Sequence, residues 1–246
     1  MSIIQELLID TYSFEQAKAI QIKYQNLISK SPKNECLNSI NAIKTVVGVD
    51  ISYYKKEKSD YGVACAVVWH LKQKEKEKFY FANGKLKFPY RPGFLGFREN
   101  KLLSKVIAQL PNMPDIIMCD GHGIIHPRRF GEAVHLGYAL NISTIGVAKN
   151  PYIGYYNWND IQLIKGNKTP IWARNPKIMT ENASNELLGY VICLKNDSKP
   201  VFVSVGNNIT LDLALKVSLE STTNHRQPEP LYLADKLSRK ETHNYN

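Results

Sequence analysis

An α/β protein built on one central mixed β-sheet with flanking helices is predicted by three features of this sequence. Three β-branched, apolar segments (45–54, 62–71 and 79–84) follow one another at hairpin distances, which is a meander. Two short apolar segments, 115–120 and 143–149, are joined through a helical stretch, the pattern of a parallel crossover. No internal repeat or Gly/Ser linker separates the two patterns. They are therefore expected to share one sheet in a single unit over 1–246, with a helical N-terminal region (1–43), a core (44–240) and a tail (241–246).

Taken in order, SFEQAKAIQIKYQNLISK (13–30) spaces its apolar residues for a helix, with Ser13 as N-cap. TVVGVDISYY (45–54) is the first strand and carries Asp50 inside it; GVACAVVWHL (62–71) is the second. The charged run KQKEKEK (72–78) is expected at the solvated tip of a hairpin, with a nucleic-acid contact as the alternative, and FYFANG (79–84) returns as the third strand. PYRPGFLGF (89–97) is a loop punctuated by Pro and Gly, leading into a helix over RENKLLSKVIAQL (98–110). DIIMCD (115–120) is a strand ending in Asp120, RRFGEAVHLGYAL (128–140) reads as a helix, and STIGVAK (143–149) is a strand ending in Lys149. Residues 150–170 read as a loop and 187–194 with 201–205 as a strand pair. A helix over 208–221 and a last segment through 231–240 close the chain.

The 246 residues are 43% hydrophobic and 22% charged, which argues against global disorder, and they carry a net charge of +10. A basic balance favours a polyanionic partner, because neutralising phosphates releases condensed counterions; solubility alone is the plainer reading. The four cysteines are scattered without a C-x-x-C pair, so neither a zinc ribbon nor a disulfide framework is indicated, and Cys65 and Cys119 read as buried core thiols. No signal peptide and no apolar run of membrane-spanning length is visible, so a cytoplasmic, reducing setting is expected, with no membrane contact and no protein partner implied.

Acids stand where folding alone would not ask for them. Asp50 inside VVGVD costs desolvation unless a cation or hydrogen bonds compensate it, and Asp120 at the end of IIMC poses the same problem. Glu99 opens a helix and Asp235 lies in the helical stretch LADKL. Singly these could be a helix-terminal charge, a cap and a surface residue. Together they make a ligand set for a hard divalent cation such as Mg²⁺, of the kind that hydrolyses phosphodiesters. Glycosidase chemistry also pairs acids, but no aromatic sugar platform accompanies these. DGHGIIHPRRFG (120–131) also offers His122 and His126 at zinc-like spacing, although Gly121, Gly123 and Pro127 oppose the helix that would align them.

PYRPGFLGFRE, PDIIMCDGHGIIHPRRFGEAVHLG, TIGVAK and RQPEPLYLAD, in this order between about residues 44 and 240, resemble the endonuclease V family. The resemblance implies a ribonuclease H-like fold. It also implies Mg²⁺-dependent cleavage, with Mn²⁺ as a substitute, one phosphodiester 3′ of inosine in DNA or RNA. It assigns Asp50, Glu99 and Asp120 to the metal, Asp235 to a fourth metal position, Lys149 to the scissile phosphate and His126 to the border of metal and base pocket. Pro89, Tyr90, Arg91 and Pro92 match a strand-separating wedge, where Arg91 replaces the usual Ile or Val. Arg91 either meets phosphate or a base, or faces solvent.

Gly121, Gly123 and Gly131 then read as backbone open to an extruded base. Arg128 and Arg129 read as phosphate contacts or loop supports, with an ion pair to Glu132 as the plain option, and His126 as catalytic or as a buried structural histidine. His122 reads as structural. Two rivals remain: a structure-selective nuclease without base preference, and a non-catalytic binder of modified nucleic acid.

Overall fold

The computed structural model describes residues 3–30, 36–178 and 184–245. Its frame is an eight-stranded sheet in the order β3-β2-β1-β4-β5-β8-β7-β6. The strands are β1 (Thr45–Lys56), β2 (Ser59–His70), β3 (Glu75–Lys85), β4 (Ile116–Cys119), β5 (Thr144–Ala148), β6 (Lys168–Trp172), β7 (Leu187–Ile192) and β8 (Val201–Val205). The β1–β4 and β4–β5 pairs are parallel and all others antiparallel, so meander and crossover do join in one mixed sheet.

Alternation along β1 sends Val47, Val49 and Ile51 to one face, where they pack with Leu102, Leu103 and Val106 of α2 (Leu95–Ile107) and Leu136 of α3 (Glu132–Leu140). Val46 points to the other face, against α4 (Leu211–Glu220) and Leu231 of α5 (Glu229–Thr242). Asp50 shares the parity of Val46, so it emerges on the α5 side. α5 can lie close over β1 because residue 48 is glycine: a Cβ there would fall 2.3 Å from the Pro230 carbonyl carbon. Cys65 and Cys119 are fully buried, as expected of core thiols.

Several boundaries differ from the sequence expectation. The hairpin tip is short, since residues 75–78 of the charged run already belong to β3. α2 starts at Leu95 and ends at Ile107, and α3 starts only at Glu132, because Arg129 adopts φ +51° and breaks the helix that its composition favours. β6 lies within residues expected mostly as loop. Pro170 is tolerated there because β6 is an edge strand, where no further neighbour asks for its missing N–H. Ser13 does cap α1 (Phe14–Lys30): its Oγ accepts from Gln16 N at 3.3 Å while Gln16 Oε1 accepts from Ser13 N at 2.8 Å.

His135 of α3 ties the N-terminal segment down. Its Nε2 donates to the Leu7 carbonyl at 2.6 Å, and the ring packs between Phe97 and Phe130. Burial depresses its pKa from 6.5 to about 4, as it does for His122 and His126. The unfolded chain therefore takes up protons below pH 6.5 that the folded protein refuses. Stability is full above pH 6.5 and is lost as pH falls towards 4, by about 1.4 kcal/mol per unit per histidine. The raised carboxyls of Asp50, Glu99 and Glu132 work in the opposite sense, so the test is a difference between two proteins: in urea unfolding at pH 7.5 and 5, the stability of His135→Gln, which keeps a donor for Leu7, should change more favourably than that of the unaltered protein by one histidine's share.

Candidate active site

β4 and β5 run side by side and end together, so the residues that follow them, Asp120 and Lys149, meet at one edge of the sheet. Lys149 Nζ lies 2.5 Å from Asp120 Oδ2. Parallel pairing sets Val49 of β1 beside Cys119, and Asp120 N donates to the Val49 carbonyl at 3.4 Å, which brings Asp50 next to Asp120. α5, held down at Gly48, delivers Asp235 from above. Ligand oxygens of Asp50, Asp120 and Asp235 lie within 4.8 Å of one another, and they form the metal-ready group among the described residues.

The electrostatics of the trio ask for a cation. Burial, then the carboxylates of Asp120 and Asp235, push the Asp50 pKa well above the ordinary range. Lys149 supplies part of the compensation by also contacting Asp235 Oδ2 at 3.1 Å, and Arg239 pairs with Asp235 from the next turn of α5. Burial pulls the Lys149 ammonium down, but Asp120 and Asp235 more than offset it and leave its pKa raised. Gln227 Nε2 donates to Asp120 Oδ1 at 3.3 Å, and Arg226 caps the Lys149 carbonyl at 2.8 Å.

Glu99 stands beside the trio rather than in it. It is buried on α2, accepts a hydrogen bond from Tyr53 Oη and faces the carboxyl of Glu132. Burial and then Glu132 raise its pKa strongly, and burial raises that of Glu132 to about 7. The two carboxyls face one another within side-chain hydrogen-bonding reach.

Next to the acids opens a cavity of about 510 Å³. Tyr90, Arg91 and Pro92 form one wall, with Tyr90 66% exposed at the rim; Pro89 is exposed outside it. Arg91 is exposed, as the solvent-facing alternative expects, and its guanidinium stacks 4.5 Å from the Phe14 ring of α1. Gly93 follows at φ +84°, and its carbonyl accepts from Gln21 Nε2 at 2.9 Å, His126 Nε2 at 3.0 Å and Arg128 at 2.9 Å. This knot fixes the 89–92 loop against the loop that carries Asp120.

His126 is thereby fully engaged. Since Nε2 donates to Gly93, Nδ1 is the acceptor, and it receives Arg128 N at 3.2 Å and Phe130 N at 3.4 Å. His122 Nε2 meets the Asn150 carbonyl at 3.1 Å, and no metal group joins the two histidines among the described residues. Arg128 contacts Gln21 and Gly93, and Arg129 pairs with Glu186 and the His126 carbonyl, so both support the loop and neither pairs with Glu132.

Gly121 and Gly131 line the cavity, whereas Gly123 stands away from it. A Cβ on Gly123 would fall 1.9 Å from the Val205 carbonyl oxygen, so this glycine admits β8 rather than a ligand. Sequence reasoning missed Tyr53, Gln227, Arg239 and the cavity-lining Tyr152, and it weighed Glu132 only as an ion-pair partner. An acid in the otherwise apolar EAVHLGYAL was the available signal for Glu132.

Residues 25–236 match the family model described as Endonuclease V. An endonuclease V of Bacillus thuringiensis is 35% identical over 231 residues, covering 91% of this chain and 92% of that protein. The crystal structure of endonuclease V from Bacillus subtilis superposes with a TM-score of 0.85 at 27% identity, over 100% of this chain and 98% of that one. Ciona intestinalis endonuclease V, solved in complex with a 24mer DNA containing an inosine followed by a ribo-adenosine, superposes with a TM-score of 0.76 at 28% identity, over 94% and 100% of the chains.

Proposed function

The chain belongs to the endonuclease V family, and on that premise we propose that it cuts DNA or RNA one phosphodiester 3′ of inosine, in repair of deaminated DNA or processing of inosine-containing RNA. The observation that carries this reading is the trio Asp50, Asp120 and Asp235, with oxygens within 4.8 Å, opening beside a cavity walled by Tyr90, Arg91 and Pro92.

Three carboxylates and no sulfur or free imidazole make a hard-oxygen donor set, which fits Mg²⁺ with Mn²⁺ as a substitute. Such an ion supplies activation of water and neutralisation of charge on the phosphoryl oxygens. Asp50, Asp120 and Asp235 would hold it, with Glu99 oriented by Tyr53 at its border. Lys149, once relieved of Asp120 and Asp235, has its ammonium free for the scissile phosphate. Tyr90 at the rim can stack on the gap left by an extruded base. His126, Arg128 and Arg129 act as positioning residues that hold the two loops together, and Gly121 and Gly131 line the cavity in which the base would sit. We read the whole chain as one nuclease unit acting in the cytoplasm; its described cysteines are free thiols, and no described helix is long and apolar enough to cross a membrane.

The test is cleavage of matched single- and double-stranded DNA and RNA with and without one inosine, in Mg²⁺, with Asp120→Ala as control. Cutting confined to inosine-bearing strands is expected. Equal cutting of both strands would leave a structure-selective nuclease, and uncut strands that still bind would leave a binder.

A further inference from the structure

Where the chain leaves β3, Lys85, Leu86, Lys87 and Phe88 alternate: Leu86 and Phe88 enter the core and both lysines face out. On α2, Arg98, Lys101, Leu102 and Lys105 recur at i, i+3, i+4 and i+7, so they share one face. The two segments border a second cavity, of about 230 Å³, lined by Asp10, Lys85, Lys87, Arg98, Lys101 and Lys105. Its charges do not cancel. Arg98 pairs with Asp60 at 3.0 Å and Lys101 with Asp10 at 2.8 Å. Lys85, Lys87 and Lys105 are exposed and, among the described residues, no acid pairs with them. A merely solvated lysine face interleaves acids, as the hairpin tip does with Glu75 and Glu77 between its lysines. The one acid of α2, Glu99, turns away from the cavity towards Glu132. The pocket also adjoins the acids. Arg98 Nη1 donates to the Phe88 carbonyl at 2.7 Å, just before the 89–92 loop. Its guanidinium lies 5.0 Å from the ring of Tyr53, which is 46% exposed and donates to Glu99.

We propose that this pocket binds a backbone phosphate of the nucleic-acid substrate, away from the bond that is cut. The proposal rests on the reading of the chain as a nuclease for inosine-bearing strands. Three ammonium groups gathered around a concavity repel one another, and a phosphodiester between them relieves that repulsion. Lysines suit it as point charges on flexible stems, which hold a backbone without reading its sequence. Arg98, engaged by Asp60 and the Phe88 carbonyl, builds the wall rather than the contact. Lys105 stands about 9 Å beyond Glu99 along α2, roughly two or three nucleotides at the rise of a stacked strand. The pocket therefore sets register: it anchors the backbone while the first cavity receives the base. The phosphate belongs either to the cut strand or to its complement, and the two sources are separable.

The test combines Lys85→Gln, Lys87→Gln and Lys105→Gln in one variant. It measures kcat and KM over a salt series, on an inosine-bearing single strand and on the same strand in a duplex. A control combines Lys72→Gln, Lys76→Gln and Lys78→Gln, the same loss of charge at the other end of β3, roughly 30 Å away. The pocket variant should raise KM about tenfold near physiological salt and leave kcat within about twofold. The fall of log(kcat/KM) with log[salt] should become shallower by about 1 for each phosphate the pocket holds. A rise on both substrates assigns the phosphate to the cut strand, and a rise confined to the duplex assigns it to the complement. The control should move KM by less than about twofold, since it lies outside the pocket. Melting curves check that both variants fold. An unchanged KM and salt slope in the pocket variant would overturn the proposal, as would an equal rise in the control, which would mean general charge attraction. If the unaltered protein itself cuts no inosine-bearing strand, it is the nuclease reading that falls.

Discussion

Asp50→Asn is expected to reduce cleavage of an inosine-bearing strand by about a thousandfold or more while leaving binding of the strand in place. The estimate follows from the several kcal/mol of transition-state charge stabilisation that a correctly held divalent ion supplies, at a factor of ten per 1.4 kcal/mol. Asp50 is the acid on which the cluster depends most, because it is the one embedded in a sheet strand and it meets both Asp120 and Asp235. Asparagine keeps its size and its carbonyl oxygen but gives up the charge, so the fold is not asked to fill a hole.

The same substitution makes a second, independent prediction about stability. Without metal, three carboxylates crowd one edge of the sheet with Lys149 and Arg239 as their cations. Neutralising Asp50, whose carboxylate is disfavoured by burial and by both neighbours, should raise the melting temperature of the metal-free protein. Mg²⁺ should then stabilise the unaltered protein by about 2.7 kcal/mol at a hundredfold excess over Kd, and Asp50→Asn far less. Thermal melts with EDTA and with Mg²⁺ read both effects. A variant that still gained the full shift with Mg²⁺ would place the ion elsewhere.

Legibility of this site in the sequence follows the range of the forces involved. Asp50 and Asp120 stand out because an acid within or at the end of an apolar strand is expensive wherever the strand goes. Lys149 stands out as a cation closing a parallel strand, and pairing of β4 with β5 then brings it to Asp120. The meander, the crossover and the capped α1 were equally local. What stayed hidden depends on contacts between distant segments. β6 was missed because Pro170 breaks its pattern, and only its place at the sheet edge makes it a strand. The start of α3 was misplaced because Arg129 takes a left-handed backbone without being glycine. Glu99 was grouped with the aspartates on residue type and on the resemblance; packing of α2 on α3 sets it against Glu132 while it still feels the charges of Asp50 and Asp120. The tie from α1 to the 89–92 loop, through Gln21 and Phe14, has no signature in either segment alone.

Gly123→Ala is the second large effect, and it separates two meanings of the glycines in DGHG. If residue 123 lacked a side chain in order to admit a base, alanine would spare stability and blunt selectivity. The packing gives the opposite expectation. The new Cβ would stand 1.9 Å from the Val205 oxygen and 2.6 Å from its carbonyl carbon, and both atoms belong to β8 backbone that cannot swing aside. Two tethers to the same strand would be strained with it: Gly123 N to Ser204 Oγ at 2.9 Å and Ile124 N to the Val205 carbonyl at 3.0 Å. Forced overpacking of this kind costs about 1–3 kcal/mol or more, and a drop of about 3 kcal/mol lowers the melting temperature of a chain this size by roughly 6–12 °C. Because the 120–131 loop would have to lift off β8, Asp120 should shift with it. Activity should then fall on every strand the enzyme cuts, with the ratio between strands with and without inosine little changed. A stable Gly123→Ala protein with altered base preference would return this glycine to the pocket.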